Sequence, residues 1–315
     1  MKSLFVKLIL FFSITSITQS TLAIDKPVYI CTAANSTSFT CLLNFIGSLH
    51  KYNFNDINHI AIYNLGLSNE EINYLKTIEK LEVYSIELTH PDLLKSFNTK
   101  SSEESIQGWY AWKPVAIKQT FDSAPANSIV LWVDAGTTIL NTILPLLNYI
   151  REQGYFFHNS AAKAITKQIT TFVKKSINIH PHDYRWILYG ETTYGLEAGL
   201  MGLTKKSYMD VVYPAYVLSA DLRFFADDGT CPEGFGQCRY DQSLYSIYAL
   251  LNNYKILHHY EKPDDIFYLH SKNQAYPFHI AYNSGTRRPE TTIYCSGLDI
   301  KPEEFLGYIH KKESI

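Results

Sequence analysis

From Pro27 onward, short near-continuous apolar runs alternate with longer stretches in which apolar positions recur at helical spacing. A mostly parallel sheet with covering helices reads this way, because a strand buried on both faces has no polar side to show. The first such run is Val28 to Thr32, and a helix is predicted from about Ser38 to Lys51. The second strand is predicted over His59 to Tyr63 and a third over Leu81 to Ile86. Between them, Ser68-Asn69-Glu70-Glu71 forms a capping box that opens a helix through Thr77, with Ser68 accepting from the backbone and Glu71 reaching back.

After a polar stretch around Asn98 to Ser105 comes Trp109-Tyr110-Ala111-Trp112-Lys113-Pro114, where Pro114 suits a first helical turn and a helix to about Phe121. The strongest strand, Ser128 to Val133, follows and ends in Asp134-Ala135-Gly136. Helices are predicted over Leu144 to Glu152 and Ala161 to Lys175, with the strand-like Tyr155 to His158 between them. Gly195 to Leu203 is an apolar run interrupted by glycines, more like a strand meeting a ligand closely than a helix. Tyr240 to Leu251 reads as an amphipathic helix starting at Asp241, and Pro302 to Lys311 as a last one. With no internal repeat or linker, the chain is predicted to be one α/β domain over residues 24–315, its mostly parallel sheet covered by helices on both faces.

Composition narrows the partners. A formal charge of -2 with no Lys/Arg run gives no basic field, so nucleic acid is not an expected partner. The aromatic share of 14%, with 24 tyrosines, suits flat apolar ligand faces such as sugars, although buried core tyrosine is the commoner use. Residues 1–23 read as a signal peptide or signal anchor: Lys2 and Lys7 precede an apolar stretch from Leu8 to Ile17, and small residues surround Thr21-Leu22-Ala23. That stretch is shorter than the roughly 20 residues a bilayer span needs, which favours cleavage. The expected location is the secretory pathway, the periplasm or outside the cell, with membrane contact only through an uncleaved leader. Five cysteines include no CxxC pair, so a structural zinc site is not expected. Cys231 and Cys238 either close a small disulfide loop or stay reduced.

The chain carries no GxGxxG, GxxxxGKS/T, GxSxG or HExxH element, which lowers the dinucleotide, P-loop, serine-hydrolase and zinc-protease classes. It does carry an acid at the carboxyl end of its best buried strand. Ligands of open α/β sheets sit outside such strand ends, so Asp134 is placed to hold a hard cation or a sugar hydroxyl; the plainer alternative is a turn cap. Gly136 permits close backbone approach. Glu197, beside Gly199, either faces an acceptor hydroxyl or sits in a structural turn, and Asp241 at a helix start reads first as a cap. His180-Pro181-His182 reads as a solvated loop, Arg287-Arg288 as a pyrophosphate clamp or a surface pair, and Asn35-Ser36-Thr37 as a sequon too close to the first strand for a glycan.

Taken together, Tyr29-Ile30-Cys31-Thr32-Ala33-Ala34-Asn35, Asn64-Leu65-Gly66-Leu67-Ser68, Trp112-Lys113-Pro114, Leu131-Trp132-Val133-Asp134-Ala135-Gly136, Glu197-Ala198-Gly199 and Asp241-Gln242 occur in an order that resembles GT-A-type nucleotide-diphospho-sugar glycosyltransferases. The likeness is to a group with a Trp-Lys-Pro element and an Asp-Ala-Gly strand end, and more loosely to the glycogenin-like family. The resemblance implies that Thr32, Ala33 and Asn35 line a nucleotide pocket and that Asp134 holds metal and diphosphate. It further implies Lys113 near the donor phosphates, Glu197 near the acceptor, and Asp241 with Gln242 across the sugar. The implied cofactors are a nucleotide-sugar donor with Mn2+ or Mg2+. Where the common motif has a second acid, this chain has Gly136, so Arg287, Arg288 or Lys113 becomes an alternative source of positive charge.

The expected function is therefore transfer of a hexose or related sugar from a nucleotide-diphosphate donor to a glycan, lipid or protein acceptor. Two alternatives remain open from the residues. One is a non-catalytic secreted carbohydrate-binding or effector module; the other is an exported hydrolase using Asp134 and Glu197 as a carboxylate pair.

Overall fold

The computed structural model describes residues 26–98, 105–159, 164–177, 185–190, 193–235, 237–258, 268–271, 274–282, 293–295 and 304–313. The leader, His180, His182, Arg287 and Arg288 lie outside the described residues. A six-stranded sheet forms the centre: β1 (Val28–Ala34), β2 (His59–Asn64), β3 (Leu81–Ser85), β4 (Ile129–Val133), β5 (Tyr155–Phe156) and β6 (Leu200–Leu203), in the order β3-β2-β1-β4-β6-β5. Pairing is parallel from β3 through β4 and antiparallel on both sides of β6.

Successive strand residues point to opposite faces, and each face has its own core. Ile30, Ile60, Ile62, Leu131 and Val133 pack against α1 (Phe39–Asn53), α2 (Asn69–Lys76) and α4 (Leu144–Gln153). On the other face, Cys31, Ala61, Tyr63, Val130 and Trp132 pack against α3 (Trp112–Ser123) and α5 (Tyr240–Leu251). The chain is thus an α/β fold with helices on both faces of a mostly parallel sheet. Among the described residues, no helix is long and apolar enough to cross a membrane.

This arrangement decides where a ligand crevice lies. The links β1-α1-β2 and β2-α2-β3 run over one face in one direction, whereas β3-α3-β4 crosses the other face and returns to the far side of β1. The direction of winding therefore reverses between β1 and β4, and in open α/β sheets that switch point opens a crevice at the strands' carboxyl ends.

Local chemistry behaves as the pattern implies at several points. Ser68 Oγ accepts from Glu71 N at 3.2 Å while Ser68 N donates to Glu71 Oε2 at 2.7 Å, so the capping box is closed. Three expectations need correction. No helix spans Ala161 to Lys175: Ala164 bridges to Tyr194 and Ile165 N donates to Thr193 O at 2.8 Å, which leaves a 3-10 turn at Ile165–Lys167 and a short helix at Thr171–Ser176 capped by Thr170. The glycine-bearing run is strand only at Leu200–Leu203. The last segment is a 3-10 turn, Leu306–Tyr308, because the backbone after it is drawn into an extended bridge between Lys311 and Ile78, with Lys312 N donating to Thr77 O at 2.8 Å.

That C-terminal segment lies along α1. Phe305 is buried, its carbonyl sits against Gly47, and His310 N donates to buried His50 Nδ1 at 3.1 Å. Any Cβ at position 47 would lie 2.1 Å from the Phe305 carbonyl oxygen. Gly47→Ala is therefore expected to lower unfolding free energy by about 1–3 kcal/mol through overpacking, measured by urea denaturation; an unchanged midpoint would show that the segment does not press on α1.

Candidate functional site

Four separate pieces of chain converge at the carboxyl edge of β1 and β4. Asp134 directly follows β4 and shares the alternation of Val130 and Trp132, so its side chain rises on the α3/α5 side of the sheet. Its backbone carbonyl accepts from Thr137 N at 3.0 Å and its N–H donates to Gly199 O at 2.9 Å. The turn is closed by main chain, and the side chain stays half exposed.

Lys113 comes from the first turn of α3 and is buried. Its ammonium lies 3.3 Å from Asp134 Oδ1, 3.3 Å from Asp241 Oδ2 and 3.3 Å from the Ala198 carbonyl oxygen. The ammonium donates to the Ala198 carbonyl and forms ion pairs with both carboxylates, although Asp241 Oδ2 accepts no hydrogen bond. Burial pulls the lysine's proton affinity down, but the Asp134 and Asp241 carboxylates outweigh it, and Lys113 is held protonated well above the ordinary lysine range. Asp241, in the first turn of α5, is not the N-cap: Arg239 is the residue at that position, and the Asp241 carboxylate is turned inward to Lys113. The capping expectation is corrected on that ground. Burial pushes the Asp241 carboxyl up to about 6 even though Lys113 pulls it down.

Trp132 supplies a second fixed contact, its indole Nε1 donating to Asp134 Oδ1 at 2.8 Å. Asp134 Oδ2 is left facing Gly199: a Cβ built there would lie 3.1 Å from Oδ2 and 3.8 Å from Glu197 Oε1. The missing side chain thus leaves a cradle onto which both carboxylates look. Glu197 N donates to His158 O at 2.7 Å, and Ala198 N donates to Gln242 Oε1 at 3.4 Å, which ties this segment to β-structure on one side and to α5 on the other.

The structure brings Asp134, Lys113, Glu197, Gly199, Asp241 and Gln242 into one constellation. Gly136 lies in the turn directly after Asp134. Ala33 shares the face of Cys31, on the α3 side, while Thr32 is fully buried and by alternation faces α1. Asn35 accepts from Thr37 Oγ1 at 2.7 Å and Ser38 N at 3.2 Å, capping the turn after β1. Cys231 and Cys238 are both thiols, with Cys231 Sγ donating to the Lys167 carbonyl at 2.7 Å.

Sequence reasoning missed an aromatic wall beside the ion pairs. Gly108 has φ +55°, and a Cβ there would lie 1.8 Å from the Leu93 carbonyl oxygen. The left-handed turn continues through Trp109 (φ 51°) and Tyr110 (φ 61°), and Tyr240 opposite has φ 42°. Non-glycine residues in this region cost about 1–2 kcal/mol each. Trp109 stacks on Phe97 and on Tyr240, Tyr110 leans on Tyr240 and Trp112, and Trp112 on Trp132. The Lys113 ammonium lies 5.5 Å from the Tyr110 ring and 5.2 Å from the Trp132 ring. The aromatic spacing in the sequence was visible; the left-handed turn that aims it was not.

A divalent cation at this site would meet one free oxygen of Asp134, with Glu197 on the same cradle. Hard cations that keep waters and bind substrate phosphates need only one or two protein carboxylates, so these residues fit such an ion. Among the described residues there is no group of three or more His, Cys, Asp or Glu arranged to hold a metal.

No family model matches the chain, and no curated protein matches it. Among solved structures it is similar in chain path to the galactosyltransferase LgtC, solved with donor and acceptor sugar analogs (10% identity, 89% of this chain and 94% of that one, TM-score 0.48). It is also similar to core-mannan synthase A of Aspergillus fumigatus in a Mn/GDP form (10% identity, 90% and 84%, TM-score 0.46). A third is mouse xyloside xylosyltransferase 1 without ligand (12% identity, 87% and 97%, TM-score 0.44). Fold likeness at such identity does not transfer chemistry.

Two outcomes are expected from the ion-pair network. Lys113→Met leaves a buried Asp241 carboxylate without its counter-charge and should cost about 3–5 kcal/mol in urea unfolding. The folded protein keeps the Asp241 proton up to about pH 6, whereas the unfolded chain releases it near 3.8. Between those values the folded state binds the extra proton, so this group's contribution to stability is fully present below 3.8 and is lost as pH rises through 6. Asp241→Asn should flatten that part of the stability–pH curve; an unchanged slope between pH 4 and 6 would refute the assignment.

Proposed function

We propose that the chain is a glycosyltransferase that moves a hexose or related sugar from a nucleoside-diphosphate donor to a glycan, lipid or protein acceptor, and that it works in the secretory pathway, the periplasm or outside the cell. One observation carries the reading: Asp134 stands half exposed at the topological switch point, fixed by Lys113 and Trp132, with its second oxygen turned to Gly199 beside Glu197. A carboxylate that merely capped its turn would not be gripped by a buried ammonium and an indole N–H.

In this reading the chain's residues act by pre-organisation. Lys113, ion-paired with both and hydrogen-bonded to the Ala198 carbonyl, holds Asp134 and Asp241 near one another. Trp132 fixes which oxygen of Asp134 faces the crevice. A Mn2+ or Mg2+ ion held by Asp134, with Glu197 beside it, would neutralise charge developing on the departing diphosphate. Asp241 and Gln242 lie across the donor sugar, with Gln242 Oε1 steadying the Ala198 backbone. The nucleotide lies toward the end of β1, beside Ala33 and Asn35, and Arg287 and Arg288 are candidates for a clamp on its phosphates.

The shared cradle at Gly199 also favours a second reading, a glycoside hydrolase with Asp134 and Glu197 as its carboxylate pair. Calorimetry of the mature domain with UDP- and GDP-sugars, with Mn2+ and with EDTA, distinguishes the readings. Donor binding is expected, and Asp134→Asn should reduce donor turnover about 100-fold or more. Equal near-zero turnover in both proteins would instead favour a non-catalytic binding module, and cleavage of aryl glycosides without metal would favour the hydrolase.

A further inference from the structure

The aromatic wall supplies a binding feature that the ion-pair network does not explain. Tyr110 is 36% exposed although the rings behind it, Trp109 and Trp112, are buried. Its backbone sits in the left-handed region at φ 61°, at the end of a run that includes Gly108 and Trp109. A glycine at position 110 would adopt that conformation without penalty. Exposed tyrosine at a conformational cost is what a ligand clamp shows, because strain persists where the surroundings over-determine it and concentrates at binding sites.

The neighbours identify the ligand's chemistry. Lys113 Nζ lies 5.5 Å from the Tyr110 ring and 3.3 Å from both Asp134 Oδ1 and Asp241 Oδ2, so an aromatic face and two carboxylates meet within one side chain's reach. A pyranose suits the pair of features: its C–H face stacks on an aromatic ring and its hydroxyls donate to the half-exposed carboxylate of Asp134, Asp241 being buried. A nucleobase would stack too, but it lacks the ring of hydroxyls that a pyranose offers to a carboxylate.

We propose that Tyr110, backed by Tyr240 and Trp112, is the stacking platform of a saccharide subsite that takes the pyranose ring of the acceptor. The assignment to an acceptor rests on the glycosyl-transfer reading; the saccharide subsite itself does not. Rigid rings held in one orientation lose little freedom on binding. The wall is tied to the rest of the site through the Trp112 Nε1 bond to Gln107 O, at 2.9 Å, and through the stacking of Trp109 on Tyr240 at the start of α5.

The test is saturation-transfer NMR of the intact chain with methyl glycosides of glucose, galactose, mannose, xylose and N-acetylglucosamine, alongside calorimetric titration with UDP and GDP. At least one glycoside should bind, with its C–H face most saturated. Tyr110→Gly and Tyr110→Ala should weaken it at least tenfold, and Tyr110→Trp should retain it, all with unchanged nucleotide binding. The inference is overturned if no glycoside binds, if Tyr110→Gly binds glycosides normally, or if nucleotide affinity falls in parallel, which would mark a nucleobase platform. Glycoside binding at Tyr110 with no affinity for UDP or GDP would uphold the subsite while removing the transfer reading.

Discussion

A buried ammonium must be paired, and the pairing of Lys113 organises everything around it. Desolvating a lysine without partners would drive off its proton. Here its ammonium lies within 3.3 Å of carboxylates from the end of β4 and the start of α5 and of a carbonyl from the segment leading into β6. Four distant stretches of sequence are thereby fixed relative to a single nitrogen. The same contact keeps Asp241 buried with its carboxyl near 6, while Asp134, paired on one oxygen only, keeps the other toward the crevice.

Topology explains why that nitrogen lies where it does. Because α3 crosses the face opposite to α1 and α2, its first turn arrives over the carboxyl ends of β1 and β4. The alternating apolar pattern predicted β1 to β4 and their helices closely, since strands buried on both faces and capped helices declare themselves within a few residues. Asp134 was legible for the same reason, since it ends the most apolar strand, whereas Lys113 was marked only by the resemblance of its Trp-Lys-Pro element. That Lys113 would grip two aspartates rather than lie open to phosphates was not legible, because the partners are remote in sequence.

The misread elements share one cause. Residues 161–175 and 302–311 have helical spacing, yet their backbone groups bond to other parts of the chain: Ile165 to Thr193, Lys312 to Thr77. Tertiary bonds of that kind outweigh propensity, which is a weak preference per residue. The left-handed run at Gly108, Trp109 and Tyr110 escaped notice differently. Nothing in an aromatic side chain announces positive φ, and only the glycine before it hints at the turn.

The charge balance of the site constrains any donor. Among the described residues, Asp134 and Asp241 share the single ammonium of Lys113, which leaves an excess of negative charge when both are ionised. A diphosphate oxygen 4 Å from one such carboxylate is repelled by about 4 kcal/mol at an effective dielectric near 20. Lys113 does little to relieve this, because its buried ammonium is already drawn to two carboxylates and to the Ala198 carbonyl. A nucleoside diphosphate therefore enters favourably only with further positive charge, either a divalent ion on the free oxygen of Asp134 or guanidinium groups from elsewhere in the chain. A neutral sugar faces no such barrier, since hydroxyls donate to the same carboxylates that repel phosphate. Electrostatics thus treats two kinds of ligand differently here: an uncharged ring meets no barrier, and a phosphate would need a cation at Asp134.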